Sequence, residues 1–138
     1  MDINIYVKST IKAPRRGSGK AEYLIECPKK PDEIAKGFIE LPDTTEDEIV
    51  LTILIKALNR FHKPCEMHIY TKSSGVFCAI DTGRIQKARD NGWKNAKGIP
   101  IKNAQLWDIF LELLDRHTWN VTQDDHSFME IMRMDLKG

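Results

Sequence analysis

The chain has 138 residues, 41% of them hydrophobic and 30% charged, proportions that fit one soluble globular domain around a single core. Its formal net charge of +1 excludes a general attraction for polyanions, so any such binding must come from local clustering. No apolar run approaches membrane-spanning length, and Met1-Asp2-Ile3-Asn4 lacks the pattern of a secretory signal, which predicts a cytoplasmic protein with no membrane partner.

Ile3, Ile5 and Val7 alternate with Asn4, Tyr6 and Lys8, the period of a strand. Residues 14–19 then form a basic, glycine-rich loop carrying Arg15 and Arg16, with Lys20 just beyond it. Strands are expected at 21–27 and 36–41, separated by a turn at 28–32. The run Asp43-Thr44-Thr45-Glu46-Asp47-Glu48 has the caps and acidic first turn of a helix that continues to Phe61 and is apolar nearly all round. A fourth strand follows at 66–71, then short helices at 74–80 and 83–91. A basic protrusion covers 92–102, and Asn103 caps a helix running to about His117 with Leu106, Trp107, Phe110, Leu113 and Leu114 on one face. A last strand at 118–122 and a helix at 125–136 complete the chain, with Asp124 and Asp125 placed where negative charge suits a helix start.

Short connections predict antiparallel pairing of the first three strands, and helical crossovers predict parallel addition of the later two. The fold class is therefore α/β: a mixed five-stranded sheet flanked by helices. Cys27, Cys65 and Cys78 lack metal-ligand spacing and read as buried free thiols. The four histidines show no ligand spacing, no Gly-x-Ser-x-Gly elbow occurs, and Gly17-Ser18-Gly19-Lys20 is followed by alanine rather than the Ser or Thr of a phosphate loop.

Three segments carry a family likeness. Gly92-Trp93-Lys94, then Pro100-Ile101-Lys102-Asn103 and Leu106-Trp107, closely resemble the basic protrusion and following helix start of type 1 ribonuclease H. Pro64-Cys65-Glu66-Met67-His68-Ile69-Tyr70-Thr71-Lys72-Ser73 resembles the family strand that ends in Thr-Asp-Ser. Ile3-Asn4-Ile5-Tyr6-Val7-Lys8-Ser9-Thr10 resembles the first strand, which ends in Asp-Gly-Ser. The resemblance covers essentially the whole chain and implies the ribonuclease H fold. It also implies hydrolysis of the RNA strand of an RNA–DNA hybrid by two magnesium ions held on four carboxylates, an in-line displacement that needs hard oxygen ligands converging on one spot.

The residues transferred by that resemblance break the pattern. Lys8 takes the first-strand aspartate and Lys72 the fourth-strand aspartate. The helix glutamate falls on Val50 or on Glu48 according to register, the C-terminal aspartate on Asp135, and the mobile histidine near Asp124 or His126. Glu48 and Asp135 are thus the residual catalytic candidates. Replacing two aspartates by two lysines changes the formal charge by about four units, and like charges at about 4 Å repel by roughly 4 kcal/mol at an intermediate dielectric.

The expectation is a catalytically inactive ribonuclease H-like domain with no metal or cofactor. It would bind the backbone of an RNA–DNA hybrid or duplex, or serve in a nucleoprotein assembly. Lys8, Lys72, Arg15, Arg16, Lys20, Trp93, Lys94, Lys97 and Lys102 are the candidate contacts. Lys8 and Lys72 could equally be tied up by Asp135, Glu48 or Asp124 as an internal ion-pair cluster. Trp93 either stacks on nucleic acid or anchors the protrusion against Pro100, while Trp107 and Trp119 read as core. Two other functions stay open: a protein-interaction module on the same fold, or a magnesium- or manganese-dependent ribonuclease H rearranged around Glu48, Asp135 and either Asp81 or Asp124.

Overall fold

A computed structural model describes residues 1–137. Strands β1 (Asp2–Ser9), β2 (Arg16–Glu26) and β3 (Ile34–Thr45) lead into helix α1 (Glu46–Leu58). Then come β4 (Glu66–Tyr70), α2 (Ser74–Asp81), α3 (Arg84–Asp90), α4 (Ala104–Leu114), β5 (Thr118–Thr122) and α5 (Met129–Lys137). The sheet order is β3-β2-β1-β4-β5. β1–β2 and β2–β3 pair antiparallel, while β1–β4 and β4–β5 pair parallel, so the mixed sheet expected from the element order is the one formed.

Strand alternation assigns the two faces. Ile3, Ile5 and Val7 of β1, Tyr23 and Ile25 of β2, and Met67 and Ile69 of β4 turn to the main core. There they meet α1, which buries Ile49, Val50, Leu51, Ile53, Leu54, Ala57 and Leu58, and α4, which buries Trp107, Phe110, Leu111 and Leu114. Trp119 packs on this core as well. The opposite face is covered only in part: α5 lays Met132 against Tyr6 and Leu24, with Phe128 and Tyr70 alongside. Polar side chains in the same strands therefore share one thinly roofed face.

Several boundaries differ from the sequence expectations. β2 begins at Arg16, so most of the expected basic loop is strand, held by pairing of Arg16 with Thr45 and Gly17 with Thr44. Strand β3 runs through Pro42, which the edge of a sheet tolerates because no neighbour needs its missing N–H. Helix α1 ends at Leu58 rather than Phe61. Asn103 precedes α4 in a left-handed conformation (φ 60°) and its side chain makes no capping bond. Helix α5 starts at Met129, so Asp124 and Asp125 lie before the helix and not in its first turn. The cysteines are free but not buried: Cys27 and Cys65 are partly exposed and Cys78 is exposed. Among the described residues, no helix is long and apolar enough to cross a membrane.

Gly37 is needed for space. A Cβ there would lie 2.1 Å from the ring of Tyr23, which is buried. Gly37→Ala is expected to cost about 1–3 kcal/mol, the usual penalty of overpacking, read as a lower urea midpoint at unchanged slope.

Candidate nucleic-acid interface

The parallel register matches Asp2 with Glu66 and Tyr6 with Tyr70. Continued past the end of β4, it brings Lys8 and Lys72 to the same end of the sheet. Both line a cleft of about 510 Å³ together with Ser9 and Lys12, Glu46 and Val50 of α1, Thr71 to Gly75, and His126, Met129 and Met132. The fold thus gathers Lys8, Val50 and Lys72, three positions that the resemblance matches to the family's carboxylates. Glu48 turns elsewhere, and its Oε1 accepts a 2.6 Å hydrogen bond from the Thr44 hydroxyl. Of the two helix positions that the resemblance offered, Val50 is therefore the one that lines the cleft.

Asp135 is also outside the cleft. Its Oδ2 accepts from Lys36 Nζ at 2.8 Å, and it sits over Glu22. Asp81 and Asp124 do not line the cleft either. The carboxylate that does is Glu46, whose pKa is pushed up by burial and whose Oε1 accepts from the Ser73 hydroxyl at 3.4 Å.

The two lysines differ in what holds them. Lys72 Nζ donates to the Gln123 carbonyl and, at 2.6 Å, to Asp125 Oδ1, which lowers the Asp125 pKa. The partner is Asp125, not the Asp135, Glu48 or Asp124 of the sequence reading. Lys8 has no hydrogen-bond or ion-pair partner among the described residues. Glu22 lies directly across from it in the β1–β2 register but engages Asp135.

His126 closes the far wall, with its ring centroid 4.3 Å from that of Tyr6. Its Nδ1 accepts from the Phe128 N–H at 3.1 Å. Burial and the nearby Lys72 and Lys8 lower its pKa, which favours the neutral ring. With Nδ1 used as an acceptor, the proton sits on Nε2, and the ring is a hydrogen-bond donor. Two ammoniums, a valine, one glutamate and a donating imidazole do not fit a pair of magnesium ions, which require converging oxygens. They suit an anionic oxygen.

The remaining candidates are spread around this cleft. Arg15 and Lys102 line an adjoining cavity with Arg84, Asn95 and Asn103, and the two cavities share Ala13, Glu46 and Gly75. Arg16 is engaged by Asp43 through two hydrogen bonds of 2.9 and 3.3 Å. Lys20 lines a separate groove with Phe38 and Asp135, away from the cleft. Lys94 and Lys97 are exposed on the protrusion, whose base is closed by a Lys94–Pro100 bridge. Trp93, at φ 65°, packs on the core beside Ile101, which is the anchoring arrangement.

Sequence reasoning missed Lys12, Arg84 and the Ser73-Ser74 pair in these cavities. Only Ser73 carried a local signal, since its hydroxyl caps α2 by accepting from the Val76 N–H. It also missed a metal-ligating group. Among the described residues, one set of three such side chains comes together, Asp2, Glu66 and His68, with ligand atoms within 4.8 Å of one another. It lies at the other end of β1 and β4, so an expectation of no metal anywhere on the molecule is not supported.

Comparison with known proteins gives a consistent answer. The chain is 36% identical over 77 residues to a ribonuclease H of Chlorobium phaeobacteroides and 35% identical over 86 residues to one of Clostridium botulinum. These matches take in 56% and 62% of this chain, and 53% and 56% of the relatives, so the chain spans about half the length of the curated relatives it matches. In three dimensions it is similar to LC9-RNase H1, described as a type 1 RNase H with the type 2 active-site motif (TM-score 0.72, 19% identity), over 96% of this chain and 69% of the other. It is also similar to a foamy viral protease-reverse transcriptase in complex with RNA/DNA hybrid (TM-score 0.64, 15% identity), over 98% of this chain and 18% of that one. These two structural likenesses speak to the fold alone. The model of the RNase H family matches residues 2–123, the whole sheet and the helices α1 to α4, and on that match this chain belongs to the ribonuclease H family.

Proposed function

We propose that this domain holds the phosphate backbone of an RNA–DNA hybrid or duplex in the lysine cleft without cutting it. The observation that carries this reading is the shared cleft of Lys8, Lys72 and Val50 at positions where the resemblance calls for metal-binding carboxylates. Lys8 has no partner among the described residues, Lys72 is held by groups on an exposed loop, and His126 offers an N–H. A lysine acts toward phosphate as a point charge, which gives affinity with little sequence preference. The complexes of a related fold with RNA/DNA hybrid and with dsDNA support this class of partner.

A second reading, an active metal-dependent ribonuclease H, is favoured by the names of the curated relatives. It lacks a set of carboxylates in the cleft: Glu48 and Asp135 are engaged elsewhere. One experiment separates the two. Labelled hybrid is titrated across a salt series, and the same samples are assayed for cleavage with magnesium and with manganese. The expected result is salt-sensitive binding without cleavage, lost in Lys8→Ala plus Lys72→Ala. Each lost phosphate contact should reduce the slope of log affinity against log salt by about one. Metal-dependent RNA cleavage by the wild type establishes the second reading instead.

The Lys72–Asp125 pair makes a smaller prediction. Lys72 is about half exposed and Asp125 largely so, and solvent screening leaves the pair little weight in stability. Asp125→Asn releases Lys72 for phosphate and is expected to raise hybrid affinity a few-fold at low salt, with the gain shrinking as salt is added.

A further inference from the structure

The sheet face that carries Lys8 and Lys72 at one end carries Asp2 and Glu66 at the other, on the same two parallel strands. Asp2 and Glu66 are register partners, and His68, one pleat further along β4, is the register partner of Asn4. The helix over this face reaches Tyr6 and Leu24 and leaves this end open to solvent. The next acidic residue on the face, Glu26, is already engaged: its Oε1 accepts from Asn4 Nδ2 at 3.0 Å and from the Tyr6 hydroxyl at 2.7 Å. Asp2 and Glu66 have no such donor among the described residues. What they face is the imidazole, with His68 Nε2 at 3.9 Å from Asp2 Oδ1.

The imidazole is oriented from outside the group. His68 Nδ1 lies 3.2 Å from Asn120 Oδ1 on β5. An amide oxygen only accepts, so Nδ1 carries the proton and donates. In the neutral ring that leaves the lone pair on Nε2, aimed at the two carboxylates. An N–H donated to a neighbouring oxygen, with the other nitrogen turned toward carboxylates, is how proteins hold a metal-ligating histidine. The result is three electron-pair donors within 4.8 Å, with no donated proton among them.

We propose that Asp2, Glu66 and His68 form a binding site for a zinc-class transition-metal dication, separate from the lysine cleft and independent of what that cleft binds. The donor chemistry decides the class. One imidazole with two carboxylates suits zinc, cobalt or nickel, whereas magnesium prefers oxygen alone. Two carboxylates neutralise the dication. Metal–ligand bonds of about 2 Å in a tetrahedron set ligand atoms about 3.4 Å apart, so the exposed ends of Asp2 and Glu66 need only close in slightly. The fourth position faces solvent and takes water. A bound ion would tie the starts of β1 and β4 together and raise the melting temperature by linkage.

Tag-free protein is titrated with cobalt(II), followed by absorbance and by thermal melts, with magnesium as the control metal. The expected result is one ion per chain at micromolar affinity or tighter, a raised melting temperature, no thiolate-to-cobalt absorption band, and no response to magnesium. Asp2→Asn or His68→Ala should abolish uptake with the circular dichroism spectrum unchanged. Asn120→Ala should weaken it about tenfold or more while leaving all three ligands in place. Uptake only at millimolar metal, uptake undiminished in both ligand variants, or a thiolate band that disappears with the Cys65→Ala or Cys78→Ala change overturns the proposal. None of these outcomes bears on hybrid binding in the cleft.

Discussion

Lys8→Asp combined with Lys72→Asp is expected to abolish hybrid binding and to create a divalent-cation site in the cleft. The double change swings the formal charge of the pocket by about four units, and at about 4 Å each reversed contact is worth roughly 4 kcal/mol at an intermediate dielectric. A backbone phosphate would then be repelled where two ammoniums had held it, so the salt slope should fall by about two along with the affinity. The new carboxylates would face Glu46, whose carboxyl burial already biases toward its protonated form. Three acidic groups in one cleft favour magnesium or manganese, and any protons released on uptake would report the upward shift of Glu46. Calorimetric titration with manganese in two buffers of different ionisation enthalpy reads both effects. A double variant that still binds hybrid as tightly as the wild type would remove the cleft from consideration as the anion site. Val50 is left in place because it is buried in the core, and a glutamate there would put a charge among aliphatic side chains.

Glu22→Gln is expected to remove most of the stability loss that the wild type should show as pH rises from about 4.5 to 8. Glu22 is fully buried under α5, and as a carboxylate neither of its oxygens finds a donor. Burial, with Asp135 beside it, pushes its pKa up to about 8, so at neutral pH it is a carboxylic acid that donates to Asp135. That bond and the Lys36 ammonium hold the Asp135 pKa below its usual value.

The sign follows from proton counting. The folded-state pKa lies above the unfolded value, so between the two the folded chain binds more protons. The contribution is fully present below the unfolded pKa of about 4.5 and is lost as pH rises through about 8. The span corresponds to about 5 kcal/mol as an upper limit. Glutamine keeps an N–H for Asp135 and has nothing to ionise. Urea unfolding from pH 5 to 9 measures the difference. Because Asp135 and Leu136 belong to α5, loosening of that helix should come first in the wild type at high pH, visible as faster amide exchange there.

Much of the architecture was legible because it is written in local periodicity. Ile3, Ile5 and Val7 announce a half-buried strand, and the run from Ile49 to Leu58 announces a helix buried on most sides. Thr45 capping Glu48 N–H fixes where that helix begins. The errors fell where pairing between distant segments overrides local preference. Gly17 and Gly19 look like a loop, yet hydrogen-bonding partners on β3 make them strand. Asp124 and Asp125 look like a helix start, yet Lys72 draws Asp125 into an ion pair and the helix begins at Met129.

The sequence by itself determined the family, the order of elements and the lysines at the ends of two strands, because motifs and periodicities are properties of contiguous residues. Only the tertiary structure decided which charges act together. It placed Val50 rather than Glu48 in the cleft, spent Asp135 on Lys36 and Glu22, left Lys8 without a partner among the described residues, and brought His68 beside Asp2 and Glu66. The reason is that β1 and β4 are register neighbours although α1 and two strands intervene along the chain. Electrostatic and ligating interactions act over a few ångströms of space, and the sheet, not the chain order, sets those distances.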